Sequence, residues 1–156
     1  MTPRVNPIPD DCPHVTPYLC CKNAGSAIDF YKNAFGAIEV MRMAQPDGVI
    51  GHAELKFGDS VIMLADEFPE IDFLSPQTLG GSPVMILLYV ENVDAVVEKA
   101  VAAGSKLTRP VENQFYGDRS GKLIDPFGHT WMIATRIENI SQEEMEKRAA
   151  AMSGGQ

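Results

Sequence analysis

The chain carries one pattern twice. Lys22-Asn23-Ala24-Gly25-Ser26-Ala27-Ile28-Asp29, closing at Phe35-Gly36-Ala37, returns as Glu91-Asn92-Val93-Asp94-Ala95-Val96-Val97-Glu98, closing at Ala103-Gly104-Ser105. Phe57-Gly58 is answered by Phe127-Gly128, each followed by a short apolar strand. Self-similarity of this kind declares architecture before any single motif does. Two copies of one module, each too small to bury a good core alone, are expected to associate through their sheets and enclose a cleft, where function is to be sought.

Within the first copy, His14–Cys21 reads as a strand. Asn23 then caps a helix whose Ala24, Ile28, Tyr31 and Phe35 recur at helical spacing and which stops at Gly36. Three strands follow, at about 37–43, 49–57 and 60–65, with turn residues Pro46-Asp47-Gly48 and Gly58-Asp59 between them. The second copy repeats the order: a strand at 84–90, a helix at 92–103 stopped by Gly104, and strands at 106–111, 119–125 and 129–136. The prediction is an α+β fold of two tandem βαβββ modules, 14–66 and 83–136, whose mixed sheets form a curled half-barrel around a cavity. Residues 1–13 read as a proline-rich arm and 66–82 as a linker without regular structure. Residues 137–156 read as a helix and tail, with a capping box at Ser141-Gln142-Glu143-Glu144 and with Lys147 and Arg148 near the helix's negative end.

Charge and composition exclude several classes of function. A net charge of −8 with no Lys/Arg cluster disfavours nucleic acid as partner. The longest apolar stretch, Pro83 to Val90, is too short to cross a bilayer, and the opening residues lack a signal-type apolar run, so a cytoplasmic location is expected. Three cysteines, of which Cys20 and Cys21 are adjacent and point to opposite faces, give no disulfide framework and no zinc spacing.

Thr16-Pro17-Tyr18-Leu19, Ala27-Ile28-Asp29-Phe30-Tyr31, Gly51-His52-Ala53-Glu54-Leu55, Tyr116-Gly117-Asp118-Arg119-Ser120-Gly121 and Asp125-Pro126-Phe127-Gly128-His129-Thr130-Trp131 together resemble the vicinal oxygen chelate superfamily. It contains glyoxalase I, bleomycin-resistance proteins and extradiol dioxygenases, and the similarity is greatest to its PhnB-like branch. The resemblance implies a homodimer and, in metal-dependent members, ligands on the first and last strands of each module. Those positions fall here on Thr16 and Met85, and on Met132 and Ile62, with Met63 replacing Ile62 if the first module slips by one residue. Hydroxyl, thioether and alkyl groups do not make a site for a divalent cation that asks for carboxylate or imidazole, so no metal and no other cofactor is expected.

Strand alternation indicates what lines the cavity instead. Ala53, Leu55 and Phe57 pack under the helices, which turns His52, Glu54 and Lys56 the other way. Tyr18 and Cys20 share the face of Thr16, Leu87 and Tyr89 that of Met85, and Thr130 that of Met132. His52 and Glu54 are the candidate catalytic pair, with a solvated ion pair as the alternative. Tyr18, Cys20, Met85, Leu87, Tyr89, Thr130 and Met132 are the candidate ligand contacts. Phe115 and Tyr116 either close over a ligand or cover a sheet edge, and Cys20 reads as packing before nucleophile. Arg119 reads first as the ion-pair partner of Asp118 and second as an anion contact; His129 serves its turn, and Trp131 packs in the core unless a bulge turns it inward.

The functional expectation is a metal-free, bleomycin-resistance-like binder of an aromatic or amphipathic small molecule. The alternatives are a metal-dependent lyase or dioxygenase with a non-standard site around His52 and Glu54, or a metal-free enzyme using that pair for acid–base chemistry. A homodimer is expected from the apolar Ile71-Asp72-Phe73-Leu74 segment and the terminal helix.

Overall fold

The duplication resolves into two units, Met1–Gly81 and Ser82–Gln156, in a computed structural model that describes residues 2–154. The first unit holds β1 (Tyr18–Cys21), α1 (Ala24–Phe35), β2 (Ile38–Ala44), β3 (Ile50–Phe57) and β4 (Ser60–Asp66). Its sheet runs β1-β4-β3-β2, with β1 and β4 parallel and the other pairs antiparallel. After a linking segment with a short helix α2 (Pro76–Leu79), the second unit holds β5 (Met85–Tyr89), α3 (Val93–Ala102), β6 (Lys106–Asn113), β7 (Asp118–Ile124), β8 (Thr130–Arg136) and α4 (Gln142–Ser153). Its sheet order, β5-β8-β7-β6, repeats the first, again with one parallel pair. The fold is α+β, two βαβββ modules each with a mixed four-stranded sheet.

Both helices start by the same device. Asn23 and Asn92 accept hydrogen bonds from the third residue onward, Ser26 and Ala95. A side chain at the end of each unit's last strand then holds one further amide of the first turn: Asp66 accepts from Ala24 at 2.8 Å, and Thr135 accepts from Val93 at 2.9 Å. Asp66 also accepts from Ile50 N at 2.7 Å, tying helix, β3 and β4 together. Helix α1 ends at Gly36 with φ 73, a conformation that only glycine adopts without strain.

One face of each sheet is closed by its helix. Helix α1 packs on β3 and β4, where Leu55 and Leu64 are fully buried as are Ile28 and Tyr31 of the helix, and Tyr31 lies edge-on to Phe57 with ring centroids 6.1 Å apart. Under α3, Val93, Val97 and Ala100 cover the buried Leu123, Trp131 and Ile133. A fully buried aliphatic side chain of this kind contributes about 1.5–3 kcal/mol.

The structure corrects several boundaries. The first strand begins at Tyr18 rather than at His14; Val15 is exposed, and only Pro17 O joins the ladder, accepting from Met63 N. Proline has no N–H to give, so pairing cannot extend back through it. The linker carries a 3-10 turn, Pro69–Ile71, and the helix Pro76–Leu79, whose start follows from Ser75 as N-cap with Pro at the first helical position. At Ser141 only half of the capping box forms: Ser141 accepts from Glu144 N, while the Glu144 carboxylate turns to Arg148 at 3.1 Å. Helix α4 runs on to Ser153, so Lys147 and Arg148 sit in its middle and not at its negative end. No helix among the described residues is long and apolar enough to cross a membrane.

Candidate functional site

In the first unit β3 alternates from Gly51 onward as its sequence requires: Ala53, Leu55 and Phe57 are buried on the side of α1, while His52 and Glu54 emerge on the helix-free face; Ile50, also buried, lies before a register shift in the pairing with β2. Register joins them to neighbours there. Glu54 stands opposite Met63, and Met63 opposite Tyr18, so all three share one row. This decides the open alternative in favour of Met63, because Ile62 is 5% exposed on the helix side. Tyr18 is thereby brought beside the pair. Its hydroxyl lies 2.7 Å from His52 Nδ1, and His52 Nε2 lies 3.1 Å from Glu54 Oε1.

Burial, and next the negative charge of Glu54, raise the pKa of Tyr18 above its ordinary value. A carboxylate only accepts, so the contact with Glu54 calls for a proton on His52 Nε2, and a neutral ring then presents Nδ1 as acceptor to the Tyr18 phenol. The result is a directed chain from Tyr18 through His52 to Glu54, with one donor and one acceptor at each link. Phe73, from the linking segment, lies edge-on to the Tyr18 ring at 5.7 Å and holds it in place.

Cys20 shares this face but is 7% exposed. Burial, with the nearby Glu67 and Asp66 carboxylates, pushes its thiol up to about 11, so it is protonated at neutral pH. In the folded protein Cys20 and the fully buried Cys21 are expected to resist iodoacetamide at pH 7.5, while the partly exposed Cys12 reacts. Peptide mapping after brief alkylation checks this; modification of Cys20 at the rate of Cys12 would contradict the described environment.

In the second unit the candidate contacts form a similar face. Met85 pairs with Thr130, Leu87 with Met132 and Tyr89 with Ala134. Met85, Leu87 and Tyr89 are 42%, 47% and 50% exposed. The Tyr89 hydroxyl donates to Asp118 Oδ2 at 2.7 Å, and this bond, with burial, raises the tyrosine's pKa. Asp118 is itself buried, and Arg136 reaches its other oxygen at 3.7 Å.

The expected ion pair between Asp118 and Arg119 is corrected. Asp118 and Arg119 are consecutive strand residues and point to opposite sides, so they do not pair. Arg119 lies on the helix side, where Nε and Nη2 grip both oxygens of Asp94, at 2.8 and 2.9 Å, and Nη1 donates to Asn113. It braces the start of α3 and does not join Tyr89. Phe115 and Tyr116 pack edge-to-face at 5.2 Å in the loop before β7, and the Phe115 carbonyl accepts from Arg148 of α4. His129 is buried in the turn ahead of β8, its amide donating to Asp125. Trp131 is fully buried on a strand paired without a bulge from Thr130 to Arg136, and its indole N–H donates to Asp125 at 2.9 Å.

The donor set does not suit a metal ion. Among the described residues no three His, Cys, Asp or Glu side chains are grouped to hold one, and His52 and Glu54 supply only two donors, already bonded to each other. Sequence reading missed the Tyr18–His52 link and the Tyr89–Asp118 bond. Both are cross-strand contacts with no local signature.

Comparison with known proteins agrees with this architecture. An uncharacterised protein of Mycobacterium bovis is 37% identical over 146 residues, covering 92% of this chain and 96% of its own. The crystal structure of an Arabidopsis thaliana gene product is 32% identical and covers 78% of this chain and 98% of its own, with a TM-score of 0.62. The PhnB protein of Bacillus cereus, at 18% identity, shares the fold with a TM-score of 0.63 over 79% of this chain and 99% of its own. The family profile described as Glyoxalase/Bleomycin resistance protein/Dioxygenase superfamily matches residues 12–133. With paired βαβββ modules in both sequence and structure, the chain belongs to the Glyoxalase/Bleomycin resistance protein/Dioxygenase superfamily.

Proposed function

We propose that this chain is a cytoplasmic, homodimeric member of its superfamily that binds an aromatic or amphipathic organic small molecule without a metal ion. The observation that carries the reading is that each unit has half-exposed side chains on the sheet face its helix leaves open, Tyr18 in the first and Met85, Leu87 and Tyr89 in the second, with polar groups in each already oriented by hydrogen bonds. Apolar area with a few fixed polar groups is the usual make-up of a small-molecule site. The net charge of −8 supports an organic ligand over nucleic acid.

Thermal-shift screening against a metabolite library tests this reading. A ligand present at about 100 times its Kd stabilises the folded state by about 2.7 kcal/mol. For a binder so found, His52→Ala is expected to weaken affinity by about 1–3 kcal/mol through an unpaired hydrogen bond, and His129→Ala to leave it unchanged in the protein that folds. The reverse order would invert the lining. Elemental analysis is expected to find no stoichiometric transition metal. One tightly held ion per chain, lost in His52→Ala, would restore the metal-dependent lyase or dioxygenase reading.

The dimer rests on exposed apolar residues outside the candidate contacts, among them Ile71 at 75% and Met152 at 62%. Sedimentation at micromolar concentration should give twice the chain mass; a monomer that does not shift with concentration would refute it.

A second reading is favoured by the Tyr18–His52–Glu54 chain. A carbonyl compound bound against Tyr18 could lose a proton from its α-carbon to the phenol oxygen as the phenol proton passes to Nδ1. The imidazolium so formed would be stabilised by Glu54. Exchange of α-protons in deuterated buffer, abolished by Tyr18→Phe and by His52→Ala alike, is the expected sign of this chemistry.

A further inference from the structure

The helix-free face of the second unit carries two cations that no acidic group neutralises. Arg109 on β6 stands directly opposite Lys122 on β7, and Lys122 stands opposite Met132, whose other neighbour is Leu87. Arg109 Nη2 donates to the hydroxyl of Ser120, two residues from Lys122 on the same strand and therefore on the same face. The guanidinium thus lies on the side of Leu87 and Met132, away from α3. Neither Arg109 nor Lys122 forms an ion pair among the described residues. Arg109 Nε is buried and has no hydrogen-bond partner.

These facts are unfavourable for the sheet taken alone. Like charges directly opposite across paired strands destabilise them, and a buried donor without a partner costs free energy that a simple Gln or Met at the same place would not. An oxyanion shared by the two side chains removes the first penalty, because it screens the repulsion, and it meets in the guanidinium a fork of donors suited to a carboxylate.

The duplication sharpens the point. Glu54 occupies in the first unit the place that Lys122 occupies in the second, each opposite the methionine of its last strand, and His52 there corresponds to Ser120. The same structural position is acidic in one copy and basic in the other.

We propose that Arg109 and Lys122 form a binding subsite for the carboxylate of an organic acid whose apolar body lies on Leu87, Met132 and Met85. The inference rests on the small-molecule reading above and narrows its ligand to amphipathic anions.

The test is isothermal titration of the full chain with a panel of aryl- and alkyl-carboxylic acids and their uncharged primary amides. Acids should bind about tenfold or more tighter than the matching amides, the effect of a charge-assisted hydrogen bond, and added salt should shrink the preference. Lys122→Gln should abolish most of the acid's advantage and leave amide affinity unchanged. Arg109→Gln should do the same, and because Lys122 is not wholly buried its variant keeps the test valid if the arginine variant fails to fold. Equal binding of acid and amide, or an unaltered ratio in Lys122→Gln, overturns the carboxylate subsite while leaving the small-molecule reading intact. A panel in which neither acids nor amides bind removes both.

Discussion

Replacing Asp125 by Ala is expected to lower the stability of the chain by about 3–5 kcal/mol, because three buried donors lose a charged acceptor at once. The carboxylate is 3% exposed, and one oxygen accepts from the amides of Phe127 at 2.9 Å and His129 at 3.0 Å while the other accepts from the Trp131 indole at 2.9 Å. Alanine would take this acceptor from three buried donors at once, and water has no ready access to a tryptophan that is itself fully buried. At about 2–4 °C per kcal/mol for a chain of this size, the melting temperature should fall by roughly 10 °C. Chemical denaturation followed by Trp131 fluorescence reads the same change directly. A loss below about 1 kcal/mol would mean that the turn does not depend on this carboxylate.

Gly117→Ala is expected to be nearly as damaging, by about 2–4 kcal/mol, for a different reason. Gly117 has φ 91, and a Cβ built there would stand 2.5 Å from the Glu138 carbonyl oxygen. The Gly117 carbonyl in turn accepts from the amides of Ile137 and Glu138, so the two segments are pinned back to back and neither can move aside without breaking these bonds. Gly48 provides the control. It has the same φ of 91 but open space around the position of a Cβ, so Gly48→Ala should cost only the backbone term, about 1 kcal/mol. Equal melting temperatures for the two variants would show that the close approach at Gly117 relaxes freely.

Much of the architecture was legible in the sequence because it is encoded locally. The duplicated Asn-to-Gly spans predicted α1 and α3, since a capping side chain acts within a few residues of the backbone it satisfies, as does the left-handed Gly36 that ends α1. The alternation through Gly51–Phe57 placed His52 and Glu54 on one face, because successive side chains of a strand must point opposite ways. The grouping of Met85, Leu87 and Tyr89 followed from the same rule. Membership of the superfamily came from motifs that span both copies.

Only the tertiary structure decided how those faces are populated across strands. A one-residue slip separates Met63 from Ile62 as the neighbour of Tyr18, and nothing within β4 itself, apolar on both sides, distinguishes them; the pairing with β1 and β3 does. Arg119 beside Asp118 in sequence suggested an ion pair, but adjacency along a strand is separation across the sheet, and the true partner, Asp94, comes from a helix packed on the other side. Tyr18 reaching His52, Tyr89 reaching Asp118 and Arg109 standing opposite Lys122 are juxtapositions brought about by strand pairing. The sequence by itself determined two repeated modules, their helices and, in strands that alternate apolar with polar, which residues share a face, since each depends on short-range backbone geometry. Which side chains then touch was left to sheet pairing, because that depends on contacts whose partners the chain brings together only on folding.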